Sequence, residues 1–443
     1  MSTLTTLAFG LSLAMSGQAA PQELAHVLPL ALASGNVWDG GGKTYTLNQP
    51  VIISQKSGIT IRNANIQSGA DLGGTQRENS YNILGFDRCT NVTVENLSFR
   101  GEATLFMGFA QCDTVRVNQC SFSGGRRSQM IFNGGRNLTL ENSSFIGGRQ
   151  TQKELFLVTP GHPWSFADEA AKRGINYHTP DARWTGGTNL TAFIGDLGSI
   201  RATRASGGQT LTISTQGLQM RDETKSLTEL SWHVAFVGAP ANLQVRCISE
   251  NRAARTAVLQ IQTAGRVFPT NGAVTWYADN PEHYVRNVTI RGNTFVGSPK
   301  SSGMSLYFVD GYLVENNSAF NNLDYGMGAE YCSNGIWRGN VASGNQSGWN
   351  QLELVGFANN VQISNNLGRS TAHKIWRRVN NVNTLFSSEF TLVARGHIMK
   401  NVSADCPMAS QNEDIQGFLN VTDPYGPLPD PMFSQKILTQ LGL

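Results

Sequence analysis

The sequence predicts an all-β protein built as a solenoid of short parallel strands, and three observations favour this fold class. The 443 residues include 47 glycines, and only 15% of the residues are charged, which is typical of turn-rich β structure. Strand-like segments recur at a fixed interval, and asparagine recurs where those segments end. A chain of this length exceeds what one ordinary core needs, so the repeat favours one elongated body.

The repeat starts near residue 92. The segments VTVENLSF, VRVNQCSF and LTLENSSF begin at Val92, Val115 and Leu138, so each follows the last at the same interval of 23. The pattern returns as VTIRGNTF at Val288 and continues to about residue 366. Units of this size cannot bury their apolar faces alone and must stack on one another. Alternation within each unit favours strands about 4.8 Å apart instead of paired helices.

Asparagine ends the later repeats at Asn293, Asn317, Asn340 and Asn366, with successive intervals of 24, 23 and 26. Asparagine tolerates left-handed turn geometry, and stacked asparagine amides can bind one another between neighbouring coils. We therefore expect each of these amides to hydrogen-bond to its equivalent on the next coil.

These coils resemble those of the pectate-lyase-like superfamily, and the resemblance implies a right-handed parallel β-helix with about 23 residues per coil. Residues 21–34 are apolar with helical spacing, and GNVWDGGGKTYTLNQPVIIS follows them. This start is similar to the N-terminal cap helix and first coil of phage tailspikes, tail fibres and related polysaccharide-active proteins. The superfamily contains lyases, hydrolases, epimerases and binding proteins, so the resemblance is specific for fold only.

The period is interrupted between residues 148 and 282. Short alternating segments such as QTLTIST, WHVAFVG and TAVLQIQT, separated by glycine and asparagine turns, predict a small inserted β-rich domain. Trp184, Trp232 and Trp276 either present faces for sugar stacking or fill the core of this domain, and core filling is favoured.

The pattern divides the chain into five parts. They are an N-terminal docking or signal-like segment with the cap helix (1–40), the first part of the β-helix (41–150), the inserted β-rich domain (151–283), the second part of the β-helix (284–400) and a C-terminal cap or tail (401–443). Residues 4–16 are apolar like a secretory signal, but the first basic residue is Lys43. A retained docking segment and a cleaved signal both stay open, and the apolar run is too short to span a bilayer.

The candidate chemistry lies on the strands that precede the asparagine segments. Residues 304–310 align with residues 327–333 at an interval of 23, which places Tyr307 beside Glu330. Glu353 follows Glu330 at the same interval, so it takes the next rung if the interval holds. Two carboxylates one strand spacing apart do not both ionise easily, which creates a proton donor beside an anion. A retaining glycosidase uses such a pair about 5 Å apart.

Asp310 is the third candidate catalytic carboxylate. The candidate substrate-binding residues are aromatic or basic: Tyr307, Tyr331, Trp349, Trp376, His373, Lys374 and Arg377. The basic residues of the segment HKIWRR would neutralise an acidic sugar or act as the base of a β-elimination, as lysine and arginine do in lyases of the similar superfamily. The alternative is that these acidic and basic side chains are solvated surface groups.

The sequence predicts no cofactor and no metal. It has no phosphate-binding glycine loop, no HExxH and no GxSxG segment, and its six cysteines lack CxxC spacing. A net charge of +3 without long basic runs argues against a nucleic-acid partner. The cysteines within the coils are predicted to be buried structural thiols.

These features together favour a tailspike-like or tail-fibre-like protein on the virion surface that binds a bacterial surface polysaccharide. The resemblance implies a homotrimer docked to other tail proteins through its N-terminus, and cleavage of the polysaccharide stays open. Two alternatives also stay open: a secreted bacterial polysaccharide lyase or glycoside hydrolase, and a non-catalytic structural component of a virion or an adhesin.

Overall fold

The computed structural model describes most of the solenoid and the strands of the insertion. The described residues are 20–69, 83–126, 128–148, 151, 154–159, 193–197, 201–205, 208–215, 226–235, 244–262, 274–279, 284–323, 325–343, 345, 352–369, 375–379, 382–386, 392–404, 408–410 and 419–421. The predicted docking segment up to residue 19 and the tail beyond residue 421 lie outside them.

The main body is a right-handed parallel β-solenoid of about nine turns, which confirms the predicted fold class. Before the insertion its strands are Gln22–Glu23, Val37–Asp39, Thr44–Thr46, Val51–Ser54, Thr60–Ser68, Leu84–Asp87, Thr90–Gly101, Met107–Asn118, Ser121–Gly124, Met130–Glu141, Ser144–Gly147 and Phe156–Thr159. After it they are Val285–Arg291, Thr294–Val296, Met304–Tyr307, Val309–Glu315, Ser318–Phe320, Met327–Arg338, Val341–Ser343, Leu352–Ser364, Leu367–Arg369, Leu392–Ala404, Met408–Ser410 and Leu419–Val421.

Each coil contributes to three sheets, as the coil at residues 107–124 illustrates. Residues 107–110 belong to the first sheet, residues 113–118 to the second and residues 121–124 to the third. The corners between the sheets fall at Gln111 and Gln119, which have positive φ angles of 51° and 55°.

The solenoid continues across the insertion with one-to-one register. Leu138 pairs with Val288 in the second sheet, and Phe145 pairs with Phe295 in the third. The strand Phe156–Thr159 pairs with Met304–Tyr307, so it is a rung of the first sheet. The solenoid therefore extends to Thr159 before the insertion.

One core runs along the solenoid axis, and stacked phenylalanines mark it. Four phenylalanines that stack in one column are fully buried: Phe99, Phe122, Phe145 and Phe295. The ring centroids of successive members of this column are 5.1, 4.7 and 5.1 Å apart. These are the phenylalanines that end the repeated segments, so each repeat places the same apolar group on the same line. Offset or stacked aromatic pairs at such distances stabilise a core beyond their buried area.

The predicted asparagine ladder is present and buried. The Nδ2 group of Asn293 donates to Oδ1 of Asn317 at 3.0 Å, Asn317 donates to Asn340 at 3.0 Å, and Asn340 donates to Asn366 at 2.8 Å. The expected hydrogen bonds between side-chain amides of successive coils are thereby confirmed. They include the last pair, Asn340 and Asn366, which are 26 residues apart.

The predicted cap helix is present at Leu24–Ser34. Leu24, Leu28 and Leu32 are buried and belong to the same core as the first coil. The adjoining strand Gln22–Glu23 pairs with Thr44–Thr46 of that coil. The helix therefore covers apolar groups that would otherwise end the solenoid in water. Among the described residues no helix is long and apolar enough to cross a membrane.

The insertion forms antiparallel sheets, in contrast to the solenoid. Phe193–Leu197, Val274–Asp279 and Ser231–Ala235 make one sheet, and Arg201–Ala205, Gly208–Ser214, Thr256–Gln262 and Gln244–Asn251 make another, with a short 3-10 helix at Leu227–Glu229. Trp232 is 4% exposed and its Nε1 donates to the Leu227 carbonyl at 2.8 Å. This tryptophan therefore fills the core, whereas the side chains of Trp184 and Trp276 lie outside the described part.

Candidate functional site

The outer face of the first sheet carries the candidate site, in the coils that follow the insertion. The register places Leu157, Ser305, Gly328 and Glu353 in one row across four neighbouring strands. Outward-facing residues two positions further along form a second row, which includes Tyr307 and Glu330. Because alternate residues of a strand point to the same face, both rows lie outside the core.

Tyr307 pairs with Glu330, so the predicted adjacency of these two residues is confirmed. The predicted position of Glu353 is wrong, because Glu353 pairs with Gly328, two positions before Glu330. The coil that leads to Glu353 is longer than the regular repeat, so equal counting misplaces its strand. Glu330 and Glu353 still share one face, and one strand spacing plus two positions along the strand puts their Cα atoms about 8 Å apart.

Tyr325 joins these residues, although the sequence analysis did not select it. It lies just before the strand Met327–Arg338, and its ring packs over the Cα of Gly328. Its hydroxyl lies 3.3 Å from Oγ of Ser305 and donates to Oε1 of Glu330 at 3.4 Å. A side chain at position 328 would occupy the space of the Tyr325 ring, so the glycine permits this arrangement.

Glu154 adds a third carboxylate that the sequence analysis also missed. It lies two positions before the strand Phe156–Thr159, and its Oε1 accepts a hydrogen bond from Oγ of Ser301 at 3.1 Å. Its charge acts on both Tyr307 and Tyr325. We call Glu154, Ser305, Tyr307, Tyr325, Glu330 and Glu353 the carboxylate cluster.

The cluster is largely shielded from water. Glu353 is 1% exposed, Ser305 is fully buried and Tyr325 is 4% exposed. Burial, followed by the nearby charge of Glu330, raises the pKa of Tyr325 well above its usual value. Burial likewise raises the pKa of Tyr307, and the nearby charges of Tyr325, Glu154 and Glu330 raise it further. Both phenols therefore remain protonated over the physiological pH range.

This burial predicts a loss of stability at alkaline pH. A phenol whose pKa rises on folding contributes stability that is fully present below its usual pKa of 10.0, and that contribution is lost as the pH rises further. We expect the melting temperature of the double variant Tyr307→Phe/Tyr325→Phe to fall less steeply than that of the wild type between about pH 9 and about pH 11. Equal slopes for the two proteins would contradict the assigned burial.

Tyr331 lies at the corner beside the cluster and belongs to an aromatic stack. Its ring lies 4.7 Å from that of Phe308 and parallel to it, and Phe308 contacts Tyr284 edge-on at 6.0 Å. Burial, with the charge of Glu330, raises the pKa of Tyr331 to about 12. Tyr331 is partly exposed, so one edge of the stack borders the carboxylate cluster.

Asp310 does not join the cluster. It follows the left-handed corner at Phe308 and pairs with Arg286 and Ser333 in the second sheet. Its Oδ1 accepts a hydrogen bond from Nδ2 of Asn334 at 2.6 Å on the exposed surface. The corner turns the chain between Tyr307 and Asp310, so the two residues belong to different sheets.

Two of the remaining predicted binding residues, Trp376 and Arg377, are not rungs of the first sheet. Trp376 and Arg377 lie on the strand Ile375–Val379, which pairs antiparallel with Val382–Phe386 as a separate hairpin. The strand that follows Leu352–Ser364 in the solenoid is instead Leu392–Ala404. The strand Ile375–Val379 therefore does not form the next coil of the solenoid.

The side chains of Trp376 and Arg377, and residues Trp349, His373 and Lys374, lie outside the described part of the chain. Within that part, no group of three or more histidine, cysteine, aspartate or glutamate side chains is arranged to hold a metal ion. The chemistry that the described site offers is proton transfer between carboxylates and hydrogen bonding by phenols.

The observed coils and a comparison with models of known protein families both identify the fold. A family model described as a right handed beta helix region matches residues 270–383. The chain is a right-handed parallel β-helix, the fold implied by the resemblance to the pectate-lyase-like superfamily.

Several solved structures are similar to this chain. The surface protein and adhesin PfbA of Streptococcus pneumoniae has 11% identity and a TM-score of 0.41, covering 91% of this chain and 96% of that one. The A-module of the Azotobacter vinelandii mannuronan C-5 epimerase AlgE6 has 8% identity and a TM-score of 0.32, covering 90% and 94%. Tailspike protein 3 of bacteriophage CBA120 has 10% identity and a TM-score of 0.23, covering 93% and 60%. No curated protein matches the sequence.

Proposed function

We propose that this β-helix binds a bacterial surface polysaccharide along the outer face of the first sheet and hydrolyses it with Glu330 and Glu353. The observation that carries the proposal is the convergence of Tyr307 and Tyr325 on Glu330, with Glu353 on the same face one strand away. Proton-transfer groups held by buried donors on a rigid sheet are what a glycosidase requires.

The spacing of the two carboxylates favours an inverting reaction. Inverting glycosidases separate their carboxyl groups by about 6.5–9.5 Å to admit a water molecule, whereas retaining enzymes need about 5–5.5 Å. The two-residue offset between Glu330 and Glu353 fits the larger separation. We assign Glu330, which accepts a hydrogen bond from Tyr325 and lies opposite Tyr307, as the base that activates water, and Glu353 as the acid that protonates the leaving oxygen.

The charge of the cluster favours a neutral polysaccharide over a uronate. Its described side chains include three carboxylates, those of Glu154, Glu330 and Glu353, and no cation. A substrate carboxylate about 8 Å from one of these groups meets a repulsion of roughly 2 kcal/mol at an intermediate dielectric. We therefore expect neutral capsular or O-antigen polysaccharides to bind at least about tenfold more tightly than uronate polymers of similar length.

The test is incubation of the purified chain with neutral and uronate polysaccharides, following reducing ends and unsaturated-uronate absorbance together. The proposal expects new reducing ends from a neutral polymer without unsaturated uronate. Appearance of unsaturated uronate would replace hydrolysis by β-elimination. Binding without cleavage of any polymer would leave a receptor-binding β-helix, and neither binding nor cleavage would favour the structural alternative.

We extend the proposal to a phage tailspike or tail fibre, a homotrimer attached to other tail proteins through residues 1–40. The cap helix Leu24–Ser34 belongs to this segment and closes the solenoid, which supports attachment at this end. The competing assignment is a secreted lyase or hydrolase. Sedimentation of the full chain and N-terminal sequencing of the mature protein separate the two, because a cleaved monomer would exclude the tailspike assignment.

A further inference from the structure

Two cysteines of the solenoid lie on neighbouring rungs. Thr90 pairs with Asp113, so the residues that precede them, Cys89 and Cys112, are opposite each other at the start of the second sheet. Both follow a corner residue with positive φ, Arg88 or Gln111, and both are fully buried in the core. Their equivalent backbone conformations direct the two side chains the same way.

The spacing of this pair suits a covalent bond. Neighbouring parallel strands place paired Cα atoms about 4.8 Å apart, and disulfides span Cα separations of about 4.4–6.8 Å. Both thiols donate in the same direction, Cys89 to the Ile53 carbonyl at 3.3 Å and Cys112 to the Phe86 carbonyl at 3.5 Å, each one coil back.

The other described cysteines have no such neighbour. Cys120 lies opposite Ser143, whose Oγ accepts from its backbone N–H at 3.1 Å. Cys332 pairs with Ala358, and its sulfur accepts from the backbone N–H of Val309. Burial raises the pKa of Cys120 to about 12, so this thiol is unreactive in the folded protein. Cys120 therefore serves as a matched internal control.

We propose that Cys89 and Cys112 form a disulfide that staples two successive coils when the chain folds in an oxidising compartment. The oxidant is a disulfide of low molecular weight or of a thiol oxidoreductase. One cysteine thiolate attacks that disulfide and releases one thiol, and the second cysteine then attacks the mixed disulfide and releases the other. Two protein thiols become one S–S bond, and the oxidant gains the two electrons and two protons.

The bond forms during folding, because both sulfurs are inaccessible once the coils have stacked. A link between adjacent coils restricts the unfolded chain and opposes the unwinding of one coil from the next, on which the stability of a solenoid depends. The proposal is independent of the carboxylate cluster, which lies on the first sheet in later coils.

The test is to refold the full chain either with oxidised and reduced glutathione or with dithiothreitol, and then to unfold it in guanidinium with iodoacetamide. Of the six cysteines, four should be alkylated after oxidative refolding and all six after reductive refolding. Peptide mapping should find Cys89 linked to Cys112. Six alkylated cysteines in both samples, or a link that uses other cysteines, would overturn the proposal.

Two variants sharpen the result. Cys89→Ser should leave all five remaining cysteines alkylated under both conditions, whereas Cys120→Ser should leave three alkylated after oxidation. The melting temperature of oxidised wild type should exceed that of the reduced protein by several degrees, and Cys89→Ser should lose this difference. If a variant does not fold, the mass and peptide map of the wild type decide the question alone.

Discussion

Replacing Glu330 with glutamine is expected to lower the rate of polysaccharide cleavage by about 10²- to 10⁴-fold, the usual contribution of a general base. Glutamine keeps the size of the side chain and can still accept the hydrogen bond from Tyr325. It cannot take a proton from water. We therefore expect unchanged binding of oligosaccharide and an unchanged melting temperature, with the loss confined to the catalytic rate.

The control for this substitution is Glu102→Gln. Glu102 is an exposed carboxylate whose Oε2 pairs with Arg126 at 3.2 Å, away from the carboxylate cluster. The Glu102→Gln variant should cleave polysaccharide at the wild-type rate. Wild-type cleavage by Glu330→Gln would remove this residue from the mechanism, and equal losses in both variants would indicate a general effect of surface charge. A parallel loss in Glu353→Gln would complete the assignment of the pair.

The strand register of Glu330 and Glu353 also predicts the anomeric configuration of the cleavage product. If Glu330 and Glu353 act across the two-residue offset, the first product detected by proton NMR should have the inverted anomeric configuration. Retention would require the carboxyl groups to approach to about 5 Å, which the offset opposes. This measurement separates the proposed pair from any pair on directly opposed positions.

The fold could be predicted from the sequence because each coil repeats the same physical solution. Residues such as Phe122 and Phe145 recur at one interval since their rings must stack in one column. Asn317 and Asn340 recur because the buried amides satisfy one another. Because every coil must meet the same packing and hydrogen-bonding requirements, the same residue types recur at a regular interval. This recurrence can be recognised in a single sequence.

The site was only partly predictable, because it depends on departures from the repeat. Tyr307 and Glu330 are separated by the regular interval, and their pairing was predicted correctly. Glu353 follows a longer coil, so counting by the regular interval placed it beside Glu330 instead of its true partner, Gly328. The interval of 26 between Asn340 and Asn366 was the signal of this longer coil.

Tyr325 and Glu154 were missed for a related reason. Both lie just before a strand, in the turn that enters the first sheet, where no alternation marks which way a side chain points. Tyr325 reaches the site only because Gly328 leaves space for its ring. A large aromatic residue three positions before a glycine on an otherwise regular strand is the pattern that would have identified it.

The outer face of the first sheet changes its chemistry along the solenoid. In the earlier coils it combines a small buried apolar cluster, which includes Ala110, Ile131 and Leu157, with the buried polar residues Asp87 and Asn133. Beyond the insertion the same rows carry Ser305 and Glu353. Strands of the insertion, Ser231–Ala235 and Val274–Asp279, also lie beside the later strand Leu392–Ala404. The insertion therefore lies against the strand that pairs with the strand of Glu353.

The asparagine ladder should be the most sensitive polar element of the solenoid, and Asn317→Ala tests it. Asn317 is fully buried. Its Oδ1 accepts from both the backbone N–H and Nδ2 of Asn293, and its Nδ2 donates to the Ile290 carbonyl at 2.8 Å and to Asn340. Alanine would leave several buried groups without partners, at about 1–3 kcal/mol each. We expect the free energy of unfolding in urea to fall by about 3–5 kcal/mol in total.

The matched control is Asn118→Ala, which removes an amide from the exposed surface instead of the core. Oδ1 of Asn118 accepts one hydrogen bond, from Nδ2 of Asn142 at 3.0 Å, and water can replace it. This variant should lose less than about 1 kcal/mol, since solvent satisfies the freed donor. Similar losses of unfolding free energy in Asn118→Ala and Asn317→Ala would mean that burial does not make the ladder amides more important than a surface amide. A much larger loss in Asn317→Ala would show that the amides of the core hold successive coils in register, which the carboxylate cluster requires because its residues come from different coils.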